Sequence, residues 1–262
     1  MTIEPLQLAP EFILCLLRVA AVIGSTPVLS GAQAPKRLRA GLSLVLAILM
    51  FPQVRGEISL EQVSALQLVI VGGYEILVGL LLGFVGQLLF TAAQFGGTVI
   101  GYQMGFAAAN ILDPQSHQQI QLLSQFQSVV AILVFLAVDG HHIFFRALAK
   151  SFEVLPPGSV GNVTQAIPFV VDLSSQMFVL GLQLSAPILV ILLLSDFILG
   201  IMSRVFPQLN AFMLKFPINI GVSFILIGLM ADLVVSLLHE EFQTLGQDLL
   251  FILALIDGQG GQ

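Results

Sequence analysis

The stretch Gly97–Gln121, GTVIGYQMGFAAANILDPQSHQQIQ, decides how the chain is organised. Gly97, Gly101 and Gly105 recur every four residues, which places them on one face of a helix. The Asp113-Pro114 pair then breaks the helical pattern, and a polar, glutamine-rich run follows it. The order along the chain is therefore a helix, a break and a nearly uncharged polar loop.

Long hydrophobic runs flank this stretch on both sides. Neither Ile76–Leu112 nor Leu122–Val138 contains Asp, Glu, Lys or Arg. Runs of this kind are typical of membrane helices, so the break lies between two of them. A polar but neutral connection suits a lining that contacts many sequences and binds none tightly, and it favours a conduit or its gate. The alternative is an ordinary turn outside the membrane.

The composition is that of an integral membrane protein. Of 262 residues, 57% are hydrophobic and only 9% are charged, and the mean hydropathy is +1.00, whereas a soluble domain carries about 25% charged residues. The net charge of −6 and the scattered bases argue against nucleic acid as a partner. Cys15 is the single cysteine, and the four histidines have no metal-ligand spacing, so we expect no metal and no cofactor.

Six hydrophobic segments are expected, but they fit a simple array of parallel spans poorly. Two of them are far longer than the ~20 residues that a bilayer requires, and another is too short. Pro52 is expected to close the second segment. The expected bounds are Phe12–Leu29, Leu42–Phe51, Ala65 to the break, Leu122–Lys150, Ile167–Val205 and Ile218–Leu238.

Small residues mark the packing faces of the third segment. Gly79 and Gly83 form one pair at a spacing of four, and Gly97, Gly101 and Gly105 form a second series. Such faces let helix backbones approach closely, either within one chain or against a different subunit.

Three charged residues lie where an apolar environment is expected. Arg18 falls inside the first segment, where a charge needs a partner or a wet cavity, unless it reaches the membrane interface. Asp196 and Arg204 are eight residues apart, so on a helix they share roughly one face two turns apart. We interpret these two residues as members of one polar network.

Asp139, His141 and His142 interrupt the fourth segment. The cluster resembles a catalytic or proton-relay group, but Gly140 and the bases that follow indicate the end of a helix at an interface. No Walker-type nucleotide motif and no nucleophile with a base partner occurs in the sequence. We therefore expect no enzyme.

The run from Asp196 to Phe212 resembles a known family. It reads D-x3-G-x3-R-x2-PQLN-x-F, and it closely resembles the FliR family of flagellar biosynthetic proteins and its virulence-secretion counterparts, the T component of the type III export apparatus. Other features look like this family in the right order: Arg18 with Pro27, PKRLRAG at 35–41, Asp113-Pro114, and ALAKSFEVLPPG at 147–158.

This resemblance implies an all-α integral membrane protein of long, kinked and broken helices that pack into a helical multi-subunit cone. Family members assemble with FliP-like and FliQ-like subunits, with a FlhB-like subunit also expected, into the entry gate for unfolded flagellar proteins. The gate lies in the bacterial inner membrane at the flagellar basal body and extends to the periplasmic side. Residues 1–160 resemble a FliP unit that includes a plug loop at 105–121, and residues 161–262 resemble a FliQ hairpin.

The resemblance also implies roles for particular residues. The plug loop offers a closing surface and a tether, and the polar residues of the family motif serve assembly. A secondary transporter or small-solute channel is the competing class, with a substrate site near Arg18, Glu75, Asp196 or Asp232. The plug residues are Phe106, Ala107, Ala108, Ala109, Asn110, Asp113 and Pro114; the assembly residues are Arg18, Asp196, Arg204, Pro207, Gln208 and Asn210.

Overall fold

The computed structural model describes residues 5–26, 35–54, 65–105, 118–206, 208 and 211–258, and within these ranges every regular element is helical. A short 3-10 helix, Val163–Ala166, leads into the sixth α-helix. The α-helices are α1 (Pro5–Ser25), α2 (Lys36–Val54), α3 (Ala65–Gln103), α4 (Gln118–Ala137), α5 (Gly140–Val154), α6 (Ile167–Val205), α7 (Ala211–Leu229) and α8 (Ala231–Asp257).

The two longest helices confirm the prediction from hydropathy. Both α3 and α6 have 39 residues, and each begins at the residue that the apolar pattern indicates. At ~1.5 Å per residue such a helix is about 58 Å long, roughly twice the thickness of a hydrocarbon core. Pro187 lies inside α6 without ending it.

The first two helices differ from their predicted bounds. α1 begins at Pro5 and ends at Ser25, so the helix lies closer to the N-terminus than the predicted range Phe12–Leu29. The prediction that Pro52 closes the second segment is wrong, because α2 continues to Val54. A proline so near a helix end removes one late hydrogen bond, and the remaining ladder still holds the last turn.

The fourth and sixth segments are each two helices. α4 and α5 meet at 67°, and α7 and α8 meet at 56°. Asp139 has a left-handed backbone, with φ 55° and ψ 31°, so the expected helix end there is confirmed. The prediction of a single sixth helix over Ile218–Leu238 is wrong. The chain bends at Met230, whose amide still donates to the Leu226 carbonyl oxygen at 2.8 Å, and the apolar pattern continues through the bend.

Several stretches of helix are long enough to span a membrane. Leu66–Gln103 and Val163–Val205 are each long and apolar enough to cross a bilayer, and the described residues contain up to four spans if each bent pair counts as one. The all-α integral membrane class expected from the sequence is confirmed.

The chain divides into two compact units. Unit 1 comprises Met1–Leu88, Asp139–Leu173 and Phe242–Gln262, and unit 2 comprises Leu89–Val138 and Ser174–Glu241. Each unit contains residues from both sides of position 160. The likeness of residues 1–160 to FliP and of 161–262 to FliQ concerns sequence and stays a prediction.

Each unit has its own apolar core. In unit 1, Val19, Val78 and Leu148 are at most 1% exposed. In unit 2, buried residues of α3, α4, α6 and α7, together with Met104 just after α3, form one cluster, which contains Ile100, Met104, Leu123, Ile188, Leu192 and Leu226.

Candidate functional site

A fully buried ion pair lies in unit 1. Arg18 of α1 and Glu75 of α3 are joined at 2.6 Å between Nε and Oε2, and both side chains are 0% exposed. Arg18 Nη1 also donates to the Ser151 carbonyl oxygen at 2.7 Å, and its Cζ lies 4.6 Å from the centre of the Phe152 ring. Burying two charges is costly, and close geometry with further hydrogen bonds offsets that cost.

Glu75 also holds the proline-glycine turn that follows α5. Its Oε1 accepts a hydrogen bond from the Gly158 amide at 3.2 Å, and the neighbouring Tyr74 hydroxyl accepts from the Gly161 amide at 2.9 Å. A Cβ on Gly161 would lie 2.5 Å from the Ile256 carbonyl oxygen, so only glycine allows this approach. Arg18 and Glu75 thus connect α1, α3, α5 and the turn after α5.

A second polar network surrounds Asp196 in unit 2. Its Oδ2 accepts from Lys215 Nζ at 2.8 Å and from Gln103 Nε2 at 2.9 Å. Its Oδ1 accepts from Asn219 Nδ2 at 3.0 Å, and Asn219 Oδ1 in turn accepts from Ser195 Oγ at 3.0 Å. The Asp196 and Lys215 side chains are 22% and 35% exposed, so this network is only partly buried.

The last turn of α3 ends beside this network. Met104 is completely buried, and its amide donates to the Ile100 carbonyl oxygen at 2.9 Å. Gly105 has φ 97°, a conformation that L side chains rarely adopt, and a Cβ there would collide with the Phe216 ring. The glycine therefore allows the chain to leave the helix directly against α7.

The predicted glycine faces approach neighbouring helices of the same unit. A Cβ on Gly79 would lie 2.6 Å from the Arg18 carbonyl oxygen, and one on Gly83 would collide with Ser25. A Cβ on Gly97 would lie 2.8 Å from the Leu123 carbonyl oxygen of α4. Gly101 is buried as well.

The other predicted site residues are only partly within the described chain. Gln208 is an exposed turn residue, and Arg204 is exposed in the last turn of α6. In the described part of the chain, the hydrogen bonds to Asp196 come from α3 and α7 and not from Arg204. The predicted residues outside the described ranges are Phe106, Ala107, Ala108, Ala109, Asn110, Asp113, Pro114, Pro207 and Asn210.

The sequence interpretation did not identify the partners of these networks. Glu75 is named in the sequence analysis only as part of a transporter's substrate site, and nothing in the pattern pairs it with Arg18. Lys215 and Asn219 were not singled out, although a spacing of four places them on one helix face, and this signal was available. The sequence does not mark Gln103 as a partner of Asp196, because glutamine is common where an apolar helix ends and a loop begins.

The Asp139, His141 and His142 side chains lie together at the start of α5. Their potential ligand atoms are all within 4.8 Å of one another, with 3.7 Å between His142 Nδ1 and Asp139 Oδ1. These groups are of a kind that can bind a divalent cation, but the positive end of the helix dipole opposes a cation there. Asp139 and His142 are also more than half exposed, as an interfacial helix start would be.

Comparison with known proteins decides the family. Residues 9–245 match the family described as "Bacterial export proteins, family 1". The chain belongs to this family. It is 32% identical to "Flagellar biosynthetic protein FliR" of Bacillus subtilis over 96% of this chain and 97% of the relative. It is also 32% identical to the protein of that name in Escherichia coli, over 87% and 86% of the two chains.

A protein with a translocation name is also similar. "Yop proteins translocation protein T" of Yersinia pestis is 29% identical over 84% of this chain and 82% of the relative. The expected family is thereby confirmed, and this bacterial export protein is a membrane-embedded component of the type III export apparatus.

Proposed function

We propose that this chain is a core subunit of the flagellar type III protein export gate. With FliP-like and FliQ-like subunits it forms the channel through which unfolded flagellar proteins pass. The observation that carries the proposal is the match to a flagellar biosynthetic protein along 97% of that relative. The match to this flagellar relative covers 96% of the chain, against 84% for the translocation protein T, and this supports the flagellar branch over the virulence branch.

The apolar surface of the helices suits a subunit that contacts both lipid and other subunits. Val69 of α3, Val190 of α6 and Ile225 of α7 are all exposed by more than 60% in the isolated chain. Exposed apolar area on this scale is typical of membrane or protein contact. FliP-like, FliQ-like and FlhB-like neighbours would cover the parts that lipid does not cover.

The proposed arrangement assigns the two sequence halves to different packing roles. Residues 1–160 take a FliP-like place in the cone, and residues 161–262 take the place of a FliQ-like hairpin. The assembly lies in the bacterial inner membrane at the flagellar basal body and extends to the periplasmic side. Within the Asp196 network, Asp196, Lys215 and Asn219 belong to the part of the chain that this hairpin supplies, as do Arg204 and residues 207–210, whereas Gln103 belongs to residues 1–160.

The plug is the part of the proposal with a direct physical test. Phe106 and Ala107–Ala109 form the closing surface of the resting channel, and Asn110, Asp113 and Pro114 belong to the connection behind it. A small apolar barrier excludes ions by remaining dry, and it opens without any chemical step. This behaviour suits a passage for unfolded chains of many sequences.

Removing residues 106–113 tests the plug. The variant should assemble with its FliP-like and FliQ-like partners, because the helix faces lie elsewhere, and the resting complex should conduct ions in a planar bilayer. Ala107→Asp should also leak, since an unpaired charge wets a narrow apolar passage, whereas the neutral control Ala107→Ser should stay tight. A deletion variant that assembles and stays as tight as the parent would place the seal in the partner subunits.

Co-expression tests the subunit assignment itself. The chain should yield one stable complex with FliP-like and FliQ-like subunits, and it should aggregate or be degraded when it is produced alone. A stable, monodisperse chain that transports a small solute on its own would contradict the export-gate function and support a transporter.

A further inference from the structure

α2 packs against α1 along one face and leaves its other face exposed. Ala47 is 0% exposed, and its carbonyl oxygen accepts from Cys15 Sγ at 3.9 Å. The Phe51 ring contacts the Phe12 ring edge to face, with 5.5 Å between their centres. The large apolar residues on the exposed face are between 45% and 61% exposed, and they are Leu38, Leu44, Val45, Ile48 and Leu49.

The apolar part of α2 is too short to cross a bilayer. Leu42–Phe51 contains ten residues. At ~1.5 Å per residue this part is about 15 Å long, which is half of a hydrocarbon core of ~30 Å. α2 therefore has the length to line one leaflet, from the headgroups to the middle of the bilayer.

The first turn of α2 is basic. Lys36 and Arg37 are exposed and Arg39 is half-buried. Within the described ranges, no carboxylate pairs with Lys36 or Arg37. Cations in the first turn lie at the positive end of the helix dipole, so they do not stabilise α2 itself. Residues 12–56 contain no Asp or Glu, although the net charge of the chain is −6. This end of α2 thus offers positive charge to an anionic partner.

Arg37 lies on the same side of α2 as the exposed apolar residues. Positions 37, 41, 44 and 48 are four, three and four residues apart, which places them on one helix face. Nothing lies within 4 Å of a Cβ on Gly41, so the face is open between the basic turn and Leu44. Arg37 and Ile48 are separated by about 16 Å along the helix. A phospholipid has the same order, with an anionic phosphate at one end and acyl chains below it.

We propose that the exposed face of α2 binds anionic phospholipid. Arg37, with Lys36 beside it, binds the phosphate, because a guanidinium offers paired N–H donors to phosphate oxygens. The acyl chains lie along the apolar residues from Leu44 to Leu49. A zwitterionic headgroup carries its own cation, so the basic turn selects lipids with a net negative charge.

Photocrosslinking from the exposed face identifies the occupant. p-Benzoylphenylalanine replaces Ile48 in the full chain, and the complex with FliP-like and FliQ-like subunits is placed in vesicles that contain equal amounts of phosphatidylglycerol and phosphatidylcholine. Phosphatidylglycerol adducts should exceed phosphatidylcholine adducts by about fivefold or more, since ~1 kcal/mol per base near an anionic lipid corresponds to about fivefold. Mass spectrometry of the isolated chain measures both adducts.

Charge variants test whether the basic turn makes this selection. Arg37→Gln should lower the preference by about fivefold, whereas Arg37→Lys keeps the charge and should retain most of it. Arg146→Gln is the matched control, because Arg146 is an exposed arginine on α5 of the same unit, and it should leave the preference unchanged. The same probe at Ile225 of α7, which is 66% exposed, should collect the two lipids equally.

Three results would each overturn the lipid site. An adduct with another protein subunit at position 48 would mean that a partner helix covers this face of α2. Equal amounts of the two lipid adducts would mean that the basic turn selects nothing, and an unchanged preference in Arg37→Gln would mean that another group makes the selection.

The lipid site and the export-gate proposal fail separately. In isolated membranes from cells that produce the chain, position 48 should also favour anionic over zwitterionic lipid when compared with position 225, whichever subunits are present. Loss of the complex with FliP-like and FliQ-like subunits, together with retained lipid selection in these membranes, would count against the subunit assignment alone.

Discussion

The two units differ in how they accommodate charged side chains among apolar helices. Arg18 and Glu75 in unit 1 are both 0% exposed. Asp196 and Lys215 in unit 2 remain partly exposed, and their network includes the neutral donors Gln103 and Asn219. Separating a fully buried ion pair leaves an unpaired charge in an apolar interior, which is costly. In a partly exposed pair, water can replace a lost partner, so the cost is smaller.

The surroundings of the two networks agree with this difference. Arg18 and Glu75 connect three helices to the turn after α5. Asp196 of α6 contacts the last residue of α3 and two residues of α7. The two networks therefore differ both in burial and in the elements that they join.

Breaking the fully buried pair should have the largest effect. Glu75→Ala leaves Arg18 charged and buried, so we expect a loss of about 3–5 kcal/mol in the free energy of unfolding and little assembled complex. The yield and thermal unfolding of the complex in detergent measure this loss. The double variant Arg18→Met with Glu75→Leu should recover much of it, since no charge remains buried. A Glu75→Ala complex with normal yield and thermal stability would show that Arg18 has another partner.

Filling the close approach between α1 and α3 should have the next largest effect. Gly79→Ala places a methyl group against the Arg18 backbone, which cannot move aside, and we expect a loss of about 1–3 kcal/mol in stability. Gly73→Ala is the matched control on the same helix, because nothing lies within 4 Å of its Cβ position. It should be neutral or stabilising by up to ~1 kcal/mol. Equal unfolding temperatures for the two variants would contradict close packing at Gly79.

Removing the partly exposed cation should cost less. Lys215→Met leaves Asp196 its hydrogen bonds from Gln103 and Asn219, and we expect a loss of about 1 kcal/mol or less in stability. Because salt screens exposed charges, the difference from the parent should shrink between low salt and 1 M salt. The Glu75→Ala defect should persist at both. A Lys215→Met defect that is as large as that of Glu75→Ala, and insensitive to salt, would remove the distinction between the two networks.

The smallest effect is expected for the pair on the surface of unit 1. Lys150 Nζ and Glu153 Oε2 lie 2.7 Å apart, but both side chains are more than half exposed. Glu153→Gln should change the free energy of unfolding by less than about 0.5 kcal/mol, although its ion-pair distance is nearly that of Arg18 and Glu75. A larger loss in the purified complex would show that burial does not govern these pairs.

Much of the fold was predictable because it follows local pattern. Apolar runs located α3 and α6, and the Asp139-Gly140 pair located the break between α4 and α5. The bend at Met230 was missed because apolar residues continue on both sides of it. Pro52 was misread for a related reason, since the effect of a proline depends on its distance from the end of the helix.

The sequence by itself determined the membrane class, the long helices, the glycine faces and the family. Each follows from composition, from spacing along one helix or from a short motif. Only the tertiary structure decided which polar side chains meet: Glu75 lies 57 positions from Arg18, and Gln103 lies 93 positions from Asp196. Spacing shows which residues share a helix face, but partners on other helices depend on how those helices pack, and burial then sets the strength of each pair.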